Sequence, residues 1–254
     1  MTNSLHTETF YLSAGECGPE RRLPITQLTA QIIECATHHS NECGAGYNDL
    51  IKHGQAWILS RLAIEMTDYP LINETYSIST WVENTNRRFS ERNFEILNSR
   101  NETVGYARTV WMAIDIEHRC VADISRFTAL TDMVLDRPCP IEKPKRHQAV
   151  EHPTSAGVYT FRYCDLDFNR HVNTVRYIEL ILDQWPLEFH DSHAVRRLDI
   201  SFMHEAHCGE SARVATDFDP EKLQARTDII VNDNVSCNAA IEFIANNWTY
   251  FKLF

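Results

Sequence analysis

Cys164-Asp165-Leu166-Asp167-Phe168-Asn169-Arg170-His171-Val172-Asn173 runs directly into Thr174-Val175-Arg176-Tyr177-Ile178-Glu179-Leu180-Ile181-Leu182-Asp183-Gln184-Trp185, and the two parts of this stretch read differently. From Val172 the apolar residues Val175, Ile178, Leu182 and Trp185 recur at three- and four-residue steps, the spacing of one buried face of an amphipathic helix. Pro186 stops it. The part before the helix is polar. In an extended segment Asp167, Asn169 and His171 would point to one side. That side meets the helix start, whose unpaired N–H groups and partial positive charge suit an oxyanion or a carboxylate. The same residue types are also ordinary caps and turn formers, so the stretch by itself leaves both readings open.

Working outward, the chain follows one plan twice. Phe10-Tyr11-Leu12 reads as a strand, and Pro24 stands at the expected first position of a helix running to about His39, with Leu28, Ile32 and Cys35 as its apolar face. Gly44 and Gly46 end it, and a short helical segment follows at about 48–52. Strands are then expected over 57–66, 74–83, 87–97 and 103–116, the last two joined across Asn98-Ser99-Arg100-Asn101. Over 125–157 the periodicity fades and Pro138, Pro140, Pro144 and Pro153 mark a linker. The plan restarts with a strand at 158–163, the helix from Val172, and strands through Val195 to Phe202, 211–216, 223–231 and 235–245. Strand, helix, then consecutive antiparallel strands is the order of a hotdog domain. The expected fold class is α+β: two tandem hotdog domains, each a sheet wrapped around a central helix. Their limits are set at 1–125 and 157–254, with a linker over 126–156. Ahead of the first helix stand Gly18-Pro19-Glu20-Arg21-Arg22-Leu23, so only the second half carries the polar elbow and one active site per chain is expected.

Composition narrows the function classes. With 254 residues, 43% apolar and 23% charged, the chain can bury one large core or two smaller ones. A formal net charge of −11 argues against a nucleic-acid binder, whose affinity comes from neutralising phosphates. No apolar run is long enough for a membrane span. Met1 to Thr7 shows neither a signal peptide nor an Arg- and Ser-rich leader, which sets the expectation of a cytoplasmic, bacterial protein. Eight cysteines lack CxxC pairs or regular spacing, so neither a disulfide framework nor a zinc ribbon is expected and packing is the default role of each thiol. His38-His39 with Cys43 is the nearest approach to a metal cluster and lacks a second ligand pair, so no metal or cofactor is expected.

The Asp-Leu-Asp-x-Asn-x-His-Val-Asn pattern followed by an aromatic and apolar helix resembles the signature of the acyl-[acyl carrier protein] thioesterases of the double hotdog type. Trp57-Ile58-Leu59 to Ile64-Glu65, Asp68-Tyr69-Pro70 and Thr80-Trp81-Val82 are similar to pieces of that family's first domain, so the likeness spans nearly the whole chain. The resemblance implies that Asp167, Asn169 and His171 are catalytic, and that Glu205, within Phe202-Met203-His204-Glu205-Ala206, is the family's functional Glu. Where the family has Cys next to that Glu, this chain has Ala206. It also implies hydrolysis of fatty acyl thioesters carried on the phosphopantetheine of an acyl carrier protein, with the first domain holding the acyl chain. An acyl-CoA thioesterase and a non-catalytic acyl-binding module are the alternatives, and self-association into a homodimer is left open. A hotdog dehydratase ranks below them, because its His-x-x-x-x-Gly-Asp pattern is not visible at the second helix.

Thioester hydrolysis needs an activated water or carboxylate nucleophile, a donor for the carbonyl oxygen and a proton for the departing thiolate. Asp167 and Glu205 are the candidate bases, His171 can hold a proton near neutral pH, and Asn169 can orient water or the carbonyl. An acidic carrier docking on an acidic enzyme calls for a local basic patch, for which Arg87-Arg88-Arg92 and Lys143-Lys145-Arg146 are the candidates.

Overall fold

A computed structural model describes residues 4–246. The N-terminal half lays down β1 (His6–Tyr11), α1 (Ile25–Glu42), α2 (Tyr47–Ile51), β2 (Gln55–Met66), β3 (Thr75–Thr85), β4 (Phe89–Leu97), β5 (Thr103–Asp115), β6 (Cys120–Val121) and α3 (Thr128–Asp132). The C-terminal half follows with β7 (Ser155–Thr160), α4 (Thr174–Leu182), α5 (Leu187–Ser192), β8 (His193–Phe202), β9 (Ser211–Asp219), β10 (Gln224–Val231) and β11 (Asn234–Ala245).

The strands form one sheet in the order β1-β3-β4-β5-β2-β8-β11-β10-β9-β7, with β6 paired to β5 off this path. The order is palindromic about the seam between β2 and β8: β1, β2, β3, β4 and β5 correspond to β7, β8, β9, β10 and β11. Two copies of one hotdog unit therefore share a continuous sheet. At the seam Leu62 faces Ile200 and Ile64 faces Leu198, all fully buried, and Glu65 pairs with Arg197 at 3.0 Å. Both faces of the seam are covered, which fits strands whose β-branched and Leu residues do not alternate cleanly with polar ones.

The central helix of each half lies on the same side of this sheet, and α1 packs against α4. Leu28, Ile32 and Cys35 are fully buried, as their spacing predicts. Truncating Leu28 to Ala at such a site costs about 2–5 kcal/mol. On α4 the buried residues are Tyr177, Ile178, Leu180 and Ile181, whereas Val175 and Leu182 are half-buried. The buried face is thus wider than the sequence stripe and rotated from it, because α4 is covered by the sheet on one side and by α1 on another. Pro24 is the residue before α1 rather than its first turn, with ψ 145°. The short helix α5 was not expected; α4 ends at Leu182, short of Trp185, and Pro186 is the N-cap of α5.

The 126–156 stretch is more ordered than a linker. It begins with α3, and β7 starts inside it at Ser155. Between them the chain crosses the outer face of the sheet strand by strand. Leu135 N–H donates to Val82 O, Arg108 donates to the carbonyls of Cys139 and Ile141, and Lys145 N–H donates to Asp199. His147 N–H then donates to Asn238, Val150 N–H to Asp228 and Thr154 N–H to Thr216 O. Asp199, Asn238 and Asp228 are each about 2% exposed and would be costly in a sheet face left bare of partners. Their acceptors are what guide this proline-rich strap across both halves.

Two surface expectations are corrected. Arg92 is 3% exposed and contacts His39, Thr80 and Ser40, and burial pushes its guanidinium down to about 10. It belongs to the interior, so Arg87-Arg88-Arg92 is not a surface cluster. In the other candidate, Lys143 is paired with Glu91 and Lys145 with Glu142, which leaves less net positive charge than the sequence suggests. All eight cysteines are free thiols, but Cys120, Cys164 and Cys208 are exposed, so packing does not account for those three. Among the described residues no helix is long and apolar enough to cross a membrane. His38 bonds Glu8 while His39 is buried beside Arg92, so these histidines do not converge with Cys43 on a metal.

Candidate active site

The polar elbow is a closed loop, not an extended segment. Leu166 and Val172 bridge its base, Asp167 N–H donates to His171 O at 2.8 Å, and Arg170 N–H donates to Asp167 O at 3.0 Å. Arg170 turns the chain with φ 66°, the left-handed region that costs a non-glycine residue roughly 1–2 kcal/mol. Asp167 Oδ1 accepts the N–H groups of both Asn169 and His171, at 2.8 and 3.1 Å. The expected shared side of Asp167, Asn169 and His171 is therefore replaced by a turn in which Asp167 organises the loop from within. Of the two readings left open by the sequence, the hydrogen bonds show the turn former, and Asp167 also lines the cavity described below.

Two further residues of the motif are structural. Asp165 is buried, accepting from Tyr159 Oη and Arg162 N–H and pairing with Arg176 at 3.1 Å. Asn173 is the N-cap of α4, its side chain accepting Val175 N–H while its carbonyl accepts Arg176 N–H. The helix start thus offers fewer open donors than the sequence suggested. Val172 N–H donates to Ala206 O, which ties the loop to the segment that carries Glu205.

That segment delivers the second half of the site. His171 Nε2 lies 3.5 Å from Glu205 Oε2, and Arg119 Nη2 pairs with the same oxygen. Arg119 comes from the turn between β5 and β6, where its φ of 53° is again left-handed. A residue of the first half therefore grips the carboxylate of the second. His207 stands edge-on to His171, ring centroids 5.1 Å apart and planes at 70°. Ala206, between the two outward-facing residues, is fully buried in the main core. A thiol at that position would point into the core and away from Glu205.

Asp167, Asn169, His171 and Glu205 line one cavity of about 570 Å³. Its walls continue into the first half through Ile33 and Ala36 of α1 and Trp57 and Leu59 of β2, so the space runs from the polar loop to apolar surface between the helix and sheet. This is within the usual size of a site for an organic ligand. Tyr47 and Phe168, both exposed, meet edge to face at 5.6 Å across the two halves and also line it. Tyr177 lines it from α4, and burial pushes its phenol well above the ordinary range. Cys164 and Cys208 are not among the lining residues.

The structure brings together all four site residues expected from the sequence. Arg119, Tyr47 and Tyr177, which line the same cavity, were missed. Arg119 and Tyr47 sit in turns or short segments with no local pattern, and only the fold carries them to the second half. His207, outside the cavity lining, had a signal of its own, lying two residues from Glu205 with the same outward direction on an extended segment.

A double hotdog sheet with an imidazole and a carboxylate at the mouth of a partly apolar cavity defines the class: a hotdog protein with acid–base side chains beside a space of the size that takes an organic ligand. Residues 3–128 match the acyl-ACP thioesterase N-terminal domain and residues 148–245 the acyl-ACP thioesterase C-terminal domain, and the chain belongs to that family. Among curated relatives it is 25% identical over 224 residues to a chloroplastic palmitoyl-acyl carrier protein thioesterase of Gossypium hirsutum, covering 81% of this chain and 52% of the relative. It is 23% identical over 210 residues to a chloroplastic dodecanoyl-[acyl-carrier-protein] hydrolase of Cinnamomum camphora, covering 78% and 55%. The chain spans about half the length of the curated relatives it matches. Among solved structures, an acyl-ACP thioesterase from Bacteroides thetaiotaomicron superposes with a TM-score of 0.87 at 32% identity, covering 95% of this chain and 98% of that one. The 12:0-ACP thioesterase from Umbellularia californica gives a TM-score of 0.87 at 17% identity over 97% and 99% of the two chains, a likeness of fold alone.

Proposed function

We propose that this protein hydrolyses fatty acyl thioesters of acyl carrier protein to the free fatty acid and the carrier thiol. The observation that carries the reading is the His171 and Glu205 pair at the edge of a cavity that continues as apolar surface into the first half. The acyl chain lies along that surface, against α1 and β2, and the thioester carbonyl sits at the polar loop. Family membership adds the carrier as the natural donor, since the matching relatives are carrier-protein thioesterases.

In the mechanism, Glu205, steadied by Arg119, and His171 accept a proton from water as its oxygen attacks the carbonyl carbon. The carbonyl electron pair becomes an oxyanion, stabilised by the side-chain amide of Asn169. The oxyanion collapses, the C–S bond breaks, and the proton held by the pair passes to the departing sulfur. Asp167 keeps Asn169 and His171 in place by accepting both of their N–H groups. The first half, residues 1–125, holds the chain and supplies Arg119, and the second half, 157–254, carries out the chemistry. A cytoplasmic place of action is part of this proposal.

Release of free thiol from acyl carrier protein and from acyl-CoA substrates of one chain length tests the reading. Turnover with a kcat/KM higher for the carrier substrate is expected. A preference for CoA would make the protein an acyl-CoA thioesterase, and absence of hydrolysis with both, while acyl-carrier binding persists, would make it a binding module.

A further inference from the structure

One cluster has no part in that mechanism as a unit. His171, Glu205 and His207 offer two imidazole nitrogens and a carboxylate oxygen that all lie within 4.8 Å of one another. A tetrahedral zinc ion with ligands at about 2.0–2.1 Å holds them about 3.3 Å apart. His171 Nε2 and Glu205 Oε2, at 3.5 Å, already meet that spacing. His207 is exposed and its ring stands at 70° to His171, so a side-chain rotation brings its nitrogen in without moving the backbone. Two histidines with one carboxylate and a fourth position open to a cavity is a donor set that suits Zn²⁺ and disfavours Mg²⁺ and Ca²⁺, which demand oxygen shells. The chain's net charge of −11 adds a field that concentrates cations.

The geometry points to a regulatory site for a divalent zinc ion, bound by His171, Glu205 and His207, that shuts off the hydrolase. Zinc takes the lone pairs of His171 and Glu205 that otherwise accept the proton of water, and it displaces Arg119 from Glu205. His207 is the one ligand with no role in hydrolysis. Its loss therefore separates metal binding from turnover. The inhibitory consequence rests on the proposed hydrolase function, whereas binding does not.

The test uses the full chain with Cys164 and Cys208 changed to Ala, so that exposed thiols do not hold the metal. Calorimetry with zinc chloride, and cobalt chloride as a visible-absorption probe, read binding without turnover. One equivalent of zinc in the micromolar range is expected, with Co²⁺ bands of four-coordinate N and O ligation. His207→Ala and His207→Gln should each weaken binding by at least about 10-fold, since loss of even an outer partner of a metal ligand costs 10- to 100-fold. Basal hydrolysis stays at the parent level, and the zinc concentration for half-inhibition rises by the same factor. Equal binding by parent and both His207 variants would overturn the site, as would absence of binding or activation of hydrolysis by zinc. A protein that binds zinc through His207 but hydrolyses no thioester keeps the metal site and loses the functional reading.

Discussion

Replacing Glu205 with Gln is the sharpest perturbation of the proposed mechanism, because it keeps size and shape and removes only the charge and basicity. Glu205 sits between His171 at 3.5 Å and the Arg119 guanidinium, and Gln can still accept from either. What disappears is the ability to take a proton from water. General-base catalysis is worth about 10²- to 10⁴-fold, which corresponds to roughly 3–5 kcal/mol of activation free energy. The folded state should barely notice: the Arg119 and Glu205 side chains are 57% and 29% exposed, and pairs of that kind contribute up to about 1 kcal/mol. The expected result is a fall in kcat of at least about 100-fold with KM for the carrier substrate and the thermal midpoint nearly unchanged. Single-turnover hydrolysis of a palmitoyl or dodecanoyl carrier protein, followed by thiol release, measures it free of product-release effects. Turnover within threefold of the parent in the folded variant would refute Glu205 as the base. If Asp167→Asn were inactive at the same time, the proton would have to go to Asp167 instead.

The remaining predictions use other parts of the structure. Asp167→Asn keeps an oxygen for the Asn169 and His171 N–H groups, whereas Asp167→Ala leaves both without it. The Ala variant should lose about 1–3 kcal/mol of stability and the Asn variant little, so matching melting curves would remove Asp167's role in the loop. A Cys164→Ala, Cys208→Ala double variant should retain most activity and Ala206→Cys should gain no acyl-cysteine, as mass spectrometry of acid-quenched turnover can check. Position 206 faces the core, so a covalent acyl group there would contradict the geometry. On the surface of the first half, burial acts to raise the carboxyl of Glu8, but hydrogen bonds from His6 and His38 outweigh it and hold it below its ordinary value of 4.5. A carboxyl lowered in the folded state stabilises above its unfolded value and loses that contribution as pH falls through the lowered one. The parent should therefore melt above Glu8→Gln at pH 7, with the gap closing below about pH 4.5; a gap constant down to pH 3 would sever the link.

The sequence made α1, the β4–β5 hairpin and the order of strands legible because each rests on local spacing and turn chemistry. It misplaced what depends on tertiary cover. Arg92 looked like part of a charged surface run, yet β3 and α1 enclose it; the stripe on α4 looked narrow because the sequence does not show α1 lying beside it. At the site, Glu205 was reached through family likeness alone, since an Asp-x-Asn-x-His loop does not announce the segment it will meet. Arg119 was beyond reach for the same reason: a lone Arg in a surface turn acquires meaning only when β2 and β8 join the halves.

That junction also bears on why the sequence shows a polar elbow in one half and none in the other. The loop itself is present twice. Before α1, Gly18 N–H donates to Arg22 O and Arg21 N–H to Gly18 O, matching the bonds of Asp167 and Arg170, and Arg21 has φ 55° where Arg170 has 66°. Leu23 N–H donates to Pro70 O as Val172 N–H does to Ala206 O. Even the ion pair has a counterpart, Arg22 with Asp68 at 2.7 Å, near the position that His171 and Glu205 occupy in the second half. The backbone turn is thus a property of the hotdog unit, required to bring the chain from the edge strand into its central helix. An imidazole stands on it in one copy only. Gly18 has no side chain to accept N–H groups, and Arg22, which stays charged, cannot take a proton from water as an imidazole can. The repeat survives in dihedral angles and hydrogen bonds, where sequence comparison of the halves is blind, and the difference between a structural turn and a candidate active site comes down to the side chains at three positions of the loop.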